Sequence, residues 1–335
     1  MGSLVFGKDR TQLPSHAIRS KGAYDAIPEP LNTDIILSSF DRLLEAIFSK
    51  QVHARQDIRS VVIARIIDNY EDFLASCRLS YGVYDHLRYL NQHNRLRIDL
   101  DKFSPYSIPF GVFEKQESGE VLVGTTRLIF REKQEPFATF IDTFLKKENP
   151  PLDDHTGMTL ADYVHHPLHA FSPMAESVDL GAMLKDWDAQ GVKYAESSRN
   201  VVHPDYRGYG VSRLVMASAL THAFHSGLDL LIGQSDVNHV PMYQKYGVMP
   251  IPGMSLYMEE TVRNITAALM IDFRKPLEGP ADHMIKKVYR DKWAADGFLC
   301  LCPNKECTRR GAPFVARGGS ECPLKNYSII GRGRN

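Results

Sequence analysis

Between Tyr194 and His225 the sequence sets residue types in an order that can hold an anion. Tyr194-Ala-Glu-Ser-Ser-Arg-Asn-Val-Val202 reads as a strand and His203-Pro-Asp-Tyr-Arg-Gly-Tyr-Gly210 as a loop. From about Val211 to His225, Val211, Leu214, Val215, Ala219 and Leu220 fall on one side of a helix, and Gly227 stops it. The first N–H groups of a helix lack intrahelical partners and carry the positive end of its dipole, so a loop that opens there is suited to a phosphate. Gly208 and Gly210 let the backbone turn sharply and come close to such a group. Arg207 adds a forked cationic contact. A helix-capping turn rich in glycine is the bland alternative. A dinucleotide site is disfavoured, because the three-glycine fingerprint and its downstream acidic residue are not assembled.

Four cysteines form a second constellation. Cys300, Cys302, Cys307 and Cys322 give C-x-C-x4-C-x14-C in a tail rich in glycine and arginine. Four thiolates can close a tetrahedral zinc site, but the spacing is not the paired C-x2-C arrangement. Free thiols are therefore the preferred reading over zinc. Arg309, Arg310, Arg317, Arg332 and Arg334 make the tail basic, a solvated surface or a docking site for an acidic carrier protein. His165, His166 and His169 are interrupted by Pro167, which suits a surface or lid loop better than a ligand cluster. Cys77 is expected to pack as a small apolar residue.

The elements around these residues follow from periodicity. Residues 1–32 read as an extended arm closed by Pro28 and Pro30. Residues 33–75 read as a helical extension: one helix carries Ile35, Ile36, Phe40, Leu43, Leu44 and Ile47, and a second runs through Val61, Ile63, Ile66 and Ile67 towards Phe73 and Leu74. The core is expected over 76–260. In it, Ile108–Phe113 and Val121–Phe130 form a hairpin about the turn Glu117-Ser-Gly-Glu120, with Gly124 marking a bulge or a close backbone approach. An insertion at about 131–190 is polar and rich in proline and histidine, and Leu228–Ile232 is a short buried strand. Residues 261–335 are a C-terminal extension.

Six stretches carry a resemblance. Val201-Val-His-Pro-Asp-Tyr-Arg-Gly-Tyr-Gly-Val-Ser-Arg-Leu214 resembles the pyrophosphate-binding motif of the GNAT superfamily, with Ser212 where Gly or Ala is usual. Val240-Pro-Met-Tyr-Gln-Lys-Tyr-Gly-Val248 is similar to the family's downstream segment, with Gly247-Val248 in place of Gly-Phe. The ordered set Leu79–Tyr84, Ile98–Phe103, Val123–Leu128 and Ala195–Arg199 looks like the long-chain N-acyl amino acid synthases and the acyl-homoserine-lactone synthases. The resemblance spans about Arg78 to Pro250.

It implies an α+β fold with a mixed, mostly antiparallel sheet flanked by helices. It also implies a donor site of Val201, Val202, Arg207, Gly208, Tyr209, Gly210, Val211 and Ser212 for acyl-CoA or acyl-ACP. Tyr243 matches the tyrosine that protonates the leaving thiolate; packing an amphipathic helix is the competing role. An amine must lose a proton as it attacks a thioester, and Glu196, in the family's Glu-x-Ser-Arg motif, is the expected general base. Arg199 and Arg127 would orient it or hold an acceptor carboxylate. Asp99 and Asp101 are acidic candidates on the acceptor side. A structural ion pair between Glu196 and Arg199 is the alternative.

Composition limits the field. The 335 residues hold 40 Lys plus Arg against 40 Asp plus Glu. That balance argues against a general nucleic-acid coat or a polybasic membrane anchor. Apolar runs such as Val61-Val62-Ile63 end well short of the roughly 20 residues that cross a bilayer. No secretory signal opens the chain, so a cytoplasmic location is expected. The favoured function is transfer of a medium or long acyl chain, from acyl carrier protein or CoA, to the amine of a small acceptor. An acetyl-CoA-dependent N-acetyltransferase and an idle GNAT scaffold used for binding or regulation are the alternatives.

Overall fold

Apolar and β-branched residues at alternate positions build one long sheet, and glycines and prolines punctuate it. The computed structural model describes residues 60–301 except 88, 91–92, 153–156, 260–263 and 278, with the backbone of two strands nearer the N-terminus. Those two, β1 (Ser3–Gly7) and β2 (Ala23–Pro28), pair in parallel. The helix expected over 33–49 lies outside the described residues, as do Cys302, Cys307 and Cys322.

The main chain order is β3 (Val62–Ile66), α1 (Tyr70–Leu87), β4 (Ser107–Gln116) and β5 (Gly119–Ile129). Four helices follow: α2 (Phe137–Lys147), α3 (Leu160–Val164), α4 (Pro173–Ser177) and α5 (Gly181–Ala189). Next come β6 (Tyr194–Val202), α6 (Val211–His225), β7 (Leu230–Asp236), α7 (Val240–Gln244), β8 (Met249–Pro250), β9 (Tyr257–Glu259) and β10 (Asn264–Asp272). The described chain ends with α8 (Ala281–His283), a π-helix (Met284–Tyr289), α9 (Arg290–Asp296) and β11 (Phe298–Leu301).

Strands lie in the order β11-β3-β4-β5-β6-β7-β10-β8, with β9 also paired to β10. Every neighbouring pair is antiparallel except β6 and β7. Parallel neighbours need a crossover, and α6 supplies it. The expected class holds: an α+β fold with a mixed, mostly antiparallel sheet flanked by helices. One cluster packs α6 and α9 on Phe110, Val112, Leu128, Ala195 and Leu269. Two others use α1 to α5. Phe73, Cys77, Ile141 and Phe144 pack with Phe113, while Met174, Leu180 and Trp187 pack with Tyr194, Leu230 and Ile232.

The second expected helix needs correction. Val62–Ile66 is a strand between β11 and β4, and helix begins only at Tyr70. Both sides of β3 are covered, so its apolar run is continuous and fits either period. Arg65 is buried in it, ion-paired to Asp72 at 2.7 Å and set 4.1 Å from the Phe113 ring centroid. The hairpin stands as expected. At Gly124 the β4–β5 register slips, and a Cβ there would lie 2.9 Å from Val215 and 3.0 Å from Val211. Bulge and close approach coincide at this position. The insertion is more regular than its composition suggests. Thr159 and Asp162 form a capping box on α3, and Ser172 caps α4.

Candidate active site

The sheet opens along one line. β6 and β7 pair in parallel only from Tyr194–Leu230 to Ser197–Gly233, although β6 runs on to Val202 and β7 to Asp236. Gly233 sits at the last pair, where a Cβ would meet the Ser197 carbonyl at 2.9 Å. Beyond it the strands diverge. On β6 the divergence coincides with a bulge, because Thr125 faces Val201 while Arg127 faces Ser198. Inside that bulge Arg199 has φ 59°, a left-handed conformation that costs a non-glycine residue about 1–3 kcal/mol. Bulges re-aim side chains, and this one sends Arg199 and Asn200 to different partners.

The expected donor loop leads from the diverging end of β6 into α6. Gly208 and Gly210 have φ 88° and 83°, and Gly210 is the N-cap residue. Only glycine takes up this conformation without strain. A Cβ at Gly208 would meet nothing within 4 Å, and one at Gly210 would meet only the Leu301 side chain at 3.6 Å. Among the described residues, therefore, no side chain fills the space at these two glycines. The first helical bond runs from the Leu214 N–H to the Gly210 carbonyl, so the preceding N–H groups have no intrahelical acceptor. Arg207 is exposed beside them, Tyr209 and Ser212 are half-buried, and Val211 is buried against the sheet.

On the sheet face covered by α1 to α5 lies a cleft of about 400 Å³, counting the part open to solvent. Asp99, Arg127 and Arg199 line it, and Asp101 lies behind them. Arg127 grips Asp101 with two parallel bonds of 2.9 and 2.6 Å. The Arg199 Nε lies 3.0 Å from Asp99, and its terminal nitrogen donates to Asp101 at 3.3 Å. The guanidinium sits 5.1 Å from the Tyr84 ring centroid. Burial opposes the charge of Asp101, but Arg127 and Arg199 outweigh it and hold its carboxyl well below the usual range. Burial raises Asp99 instead, against the pull of Arg199. Cys77 also lines the cleft, and burial pushes its thiol up to about 12, which disfavours the thiolate at neutral pH.

Glu196 stands on β6 with no exposed surface. Its Oε2 accepts the Met174 N–H at 3.0 Å from the first turn of α4, Ser172 also hydrogen-bonds the carboxyl, and Oε1 finds no well-aligned partner among the described residues. Burial pushes this carboxyl up to about 7, against Ser172 and the Met174 N–H, which favour its charge. Arg127 and Asp101 are near enough to act on that charge. The alternative of a Glu196–Arg199 ion pair is not what forms, because Arg199 binds Asp99 and Asp101.

Tyr243, on α7, reaches the diverging strands. Its hydroxyl accepts from the Asn200 amide of β6 at 3.2 Å and also hydrogen-bonds Ser235 of β7. Burial lifts its phenol above the ordinary value despite those bonds.

No family model matches the sequence, and no curated protein matches it. Among solved structures the chain is similar to FeeM, an N-acyl amino acid synthase from uncultured soil microbes. The identity is 19% over 63% of this chain and 90% of that one, with a TM-score of 0.41. It is also similar to BjaI, a CoA-dependent acyl-homoserine lactone synthase, at 15% identity over 69% and 86%, TM-score 0.40. The AHL synthase LasI matches at 12% over 63% and 90%, TM-score 0.38.

The structure thus brings Asp99, Asp101, Arg127 and Arg199 together and sets Glu196 close by, while Tyr243 and the loop lie at the splayed strands. Tyr84, Asn200, Ser235 and Met174 carry no assignment from sequence. Tyr84 sits in one of the quoted motifs, but its contact with Arg199 joins α1 to β6, which no local pattern reveals. Cys300 is buried in β11 opposite Ile63, and among the described residues no group of three or more His, Cys, Asp or Glu is placed to hold a metal. Among the same residues, no helix is long and apolar enough to cross a membrane.

Proposed function

We propose that this chain is a GNAT-type N-acyltransferase that moves an acyl group from a phosphopantetheine thioester to the amine of a small acceptor. One observation carries the reading: β6 and β7 stop pairing after Ser197–Gly233, beside an open, glycine-built helix N-terminus. A pantetheine arm can extend the edge of β6 there by main-chain hydrogen bonds, with its phosphates at Gly208–Ser212. The acceptor enters from the opposite face, over Asp99 and Arg199.

The amine attacks the thioester carbonyl, a C–N bond forms and the C–S bond breaks. The amine's proton passes through water to Glu196, and the departing sulfur takes a proton from Tyr243. A buried carboxyl near 7 and a partly buried phenol held by Asn200 and Ser235 suit base and acid respectively. Arg127 is committed to Asp101, so its role is to fix the acidic wall, and Asp99 is the residue that faces the acceptor's ammonium. We assign the donor as acyl-CoA or acyl carrier protein with a medium or long chain.

A second reading, acetyl transfer, draws on the cleft, where Ser76, Ser80, Ser104, Ser107, Thr125 and Thr126 share the wall with Phe73, Cys77, Leu100 and Pro109. Incubating the protein with amino acids and, in turn, acetyl-CoA, long-chain acyl-CoA and long-chain acyl carrier protein tests both readings by product mass. Amide from a long-chain donor supports the first, amide from acetyl-CoA alone supports the second, and donor binding with no amide from any donor supports an idle scaffold.

A further inference from the structure

The β6 bulge places two consecutive side chains on two different tasks. Arg199 turns to Asp99 and Asp101 in the cleft, whereas Asn200 turns to the Tyr243 hydroxyl between the diverging strands. We propose that Asn200 is a positioning residue for leaving-group protonation: it holds the Tyr243 phenol between β6 and β7 and leaves its proton free to reach the departing sulfur. The proposal rests on the acyl-transfer reading and adds to it a residue that the motif resemblance does not assign.

The hydrogen-bond directions carry the argument. A carboxamide NH₂ only donates, so the 3.2 Å bond from Asn200 occupies a lone pair of the phenol oxygen. The phenol proton must then point away from β6. On the other side lies Ser235 of β7, which hydrogen-bonds the Tyr243 hydroxyl and also reaches the Asp236 carbonyl at 3.1 Å. The phenol oxygen is thus held between Asn200 of β6 and Ser235 of β7. When a thioester lies in the slot, the Tyr243 proton can swing towards sulfur while the Asn200 bond stays in place.

The step balances. As the tetrahedral intermediate collapses, the C–S bond breaks and its electron pair stays on sulfur. The phenol proton moves to that sulfur, the Asn200 NH₂ stabilises the phenolate left behind, and water returns a proton to Tyr243.

The test is a leaving-group series. Turnover of the full chain is measured with acyl donors whose thiol ranges from pantetheine to thiophenol and nitrothiophenol. Asn200→Leu and the isosteric Asn200→Asp, whose carboxylate would accept the phenol proton, are compared with the wild type and Tyr243→Phe, and folding of each is checked by thermal unfolding. The expected result is a kcat deficit of about 10- to 100-fold with the pantetheine donor. It should shrink towards unity with nitrothiophenol, whose thiolate needs no proton, and combining Asn200→Leu with Tyr243→Phe should cost no more than the worse single change. A folded Asn200→Asp with the same deficit for every thiol, or none with pantetheine, overturns the proposal. A wild type silent with every donor overturns the acyl-transfer reading, and this one with it.

Discussion

At the scale of single residues, the site is a division of labour among buried charges. Asp101 is saturated: Arg127, Ser104, the Phe103 N–H and Arg199 all point at its two oxygens. Removing one partner of such a pair strands the other, at about 3–5 kcal/mol. Arg127→Met is therefore expected to lower stability by that order in denaturant unfolding, and Arg127→Met with Asp101→Leu to recover much of it. A double variant as unstable as the single one would show that the pair is not the cause.

Glu196 makes a prediction of opposite character. Its carboxyl is raised from 4.5 to about 7, so the folded state binds more protons than the unfolded chain between those values. Stability must then fall as pH rises through that window. In Glu196→Gln that part of the slope should vanish, which unfolding of both proteins at pH 5 and pH 8 checks. Equal slopes would mean that Glu196 titrates normally. The residue types at this site are legible in sequence, since acids and arginines in the quoted motifs are those that meet. Their pairing is not: Arg199 finds partners 98 and 100 positions away.

At the scale of elements, the parts that local chemistry determines are the parts sequence shows. The loop and α6 are written in glycines at positive φ followed by a helical stripe. β3 is not, because a run buried on both sides has no alternation and Arg65 looks like a solvent residue until Asp72 and Phe113 are placed beside it. The register slip at Gly124 matters for the donor site, since α6 rests there on Val211 and Val215. Gly124→Ala is predicted to overpack this contact by about 1–3 kcal/mol and to raise the donor KM, because Val211 belongs to the first turn of α6. A raised melting temperature with unchanged donor KM would show that the helix has room to give.

At the scale of the whole molecule, the sheet joins segments far apart in sequence. β3 and β11, far apart in sequence, pair side by side on the β4 side of the hairpin, and Leu301 of β11 approaches Gly210. Sequence cannot show this, since strand order depends on long-range pairing rather than local pattern. Among the described residues β6 and β7 stop pairing after Ser197–Gly233, and α6 follows the unpaired end of β6. The most direct test is amide NMR of the ¹⁵N-labelled protein titrated with CoA. The account predicts saturable shifts centred on Gly208, Gly210, Val211, Ser212 and Arg213, with a smaller set at Asn200 and Gly233. Saturable binding that leaves those amides unmoved, or no binding at all, would contradict it.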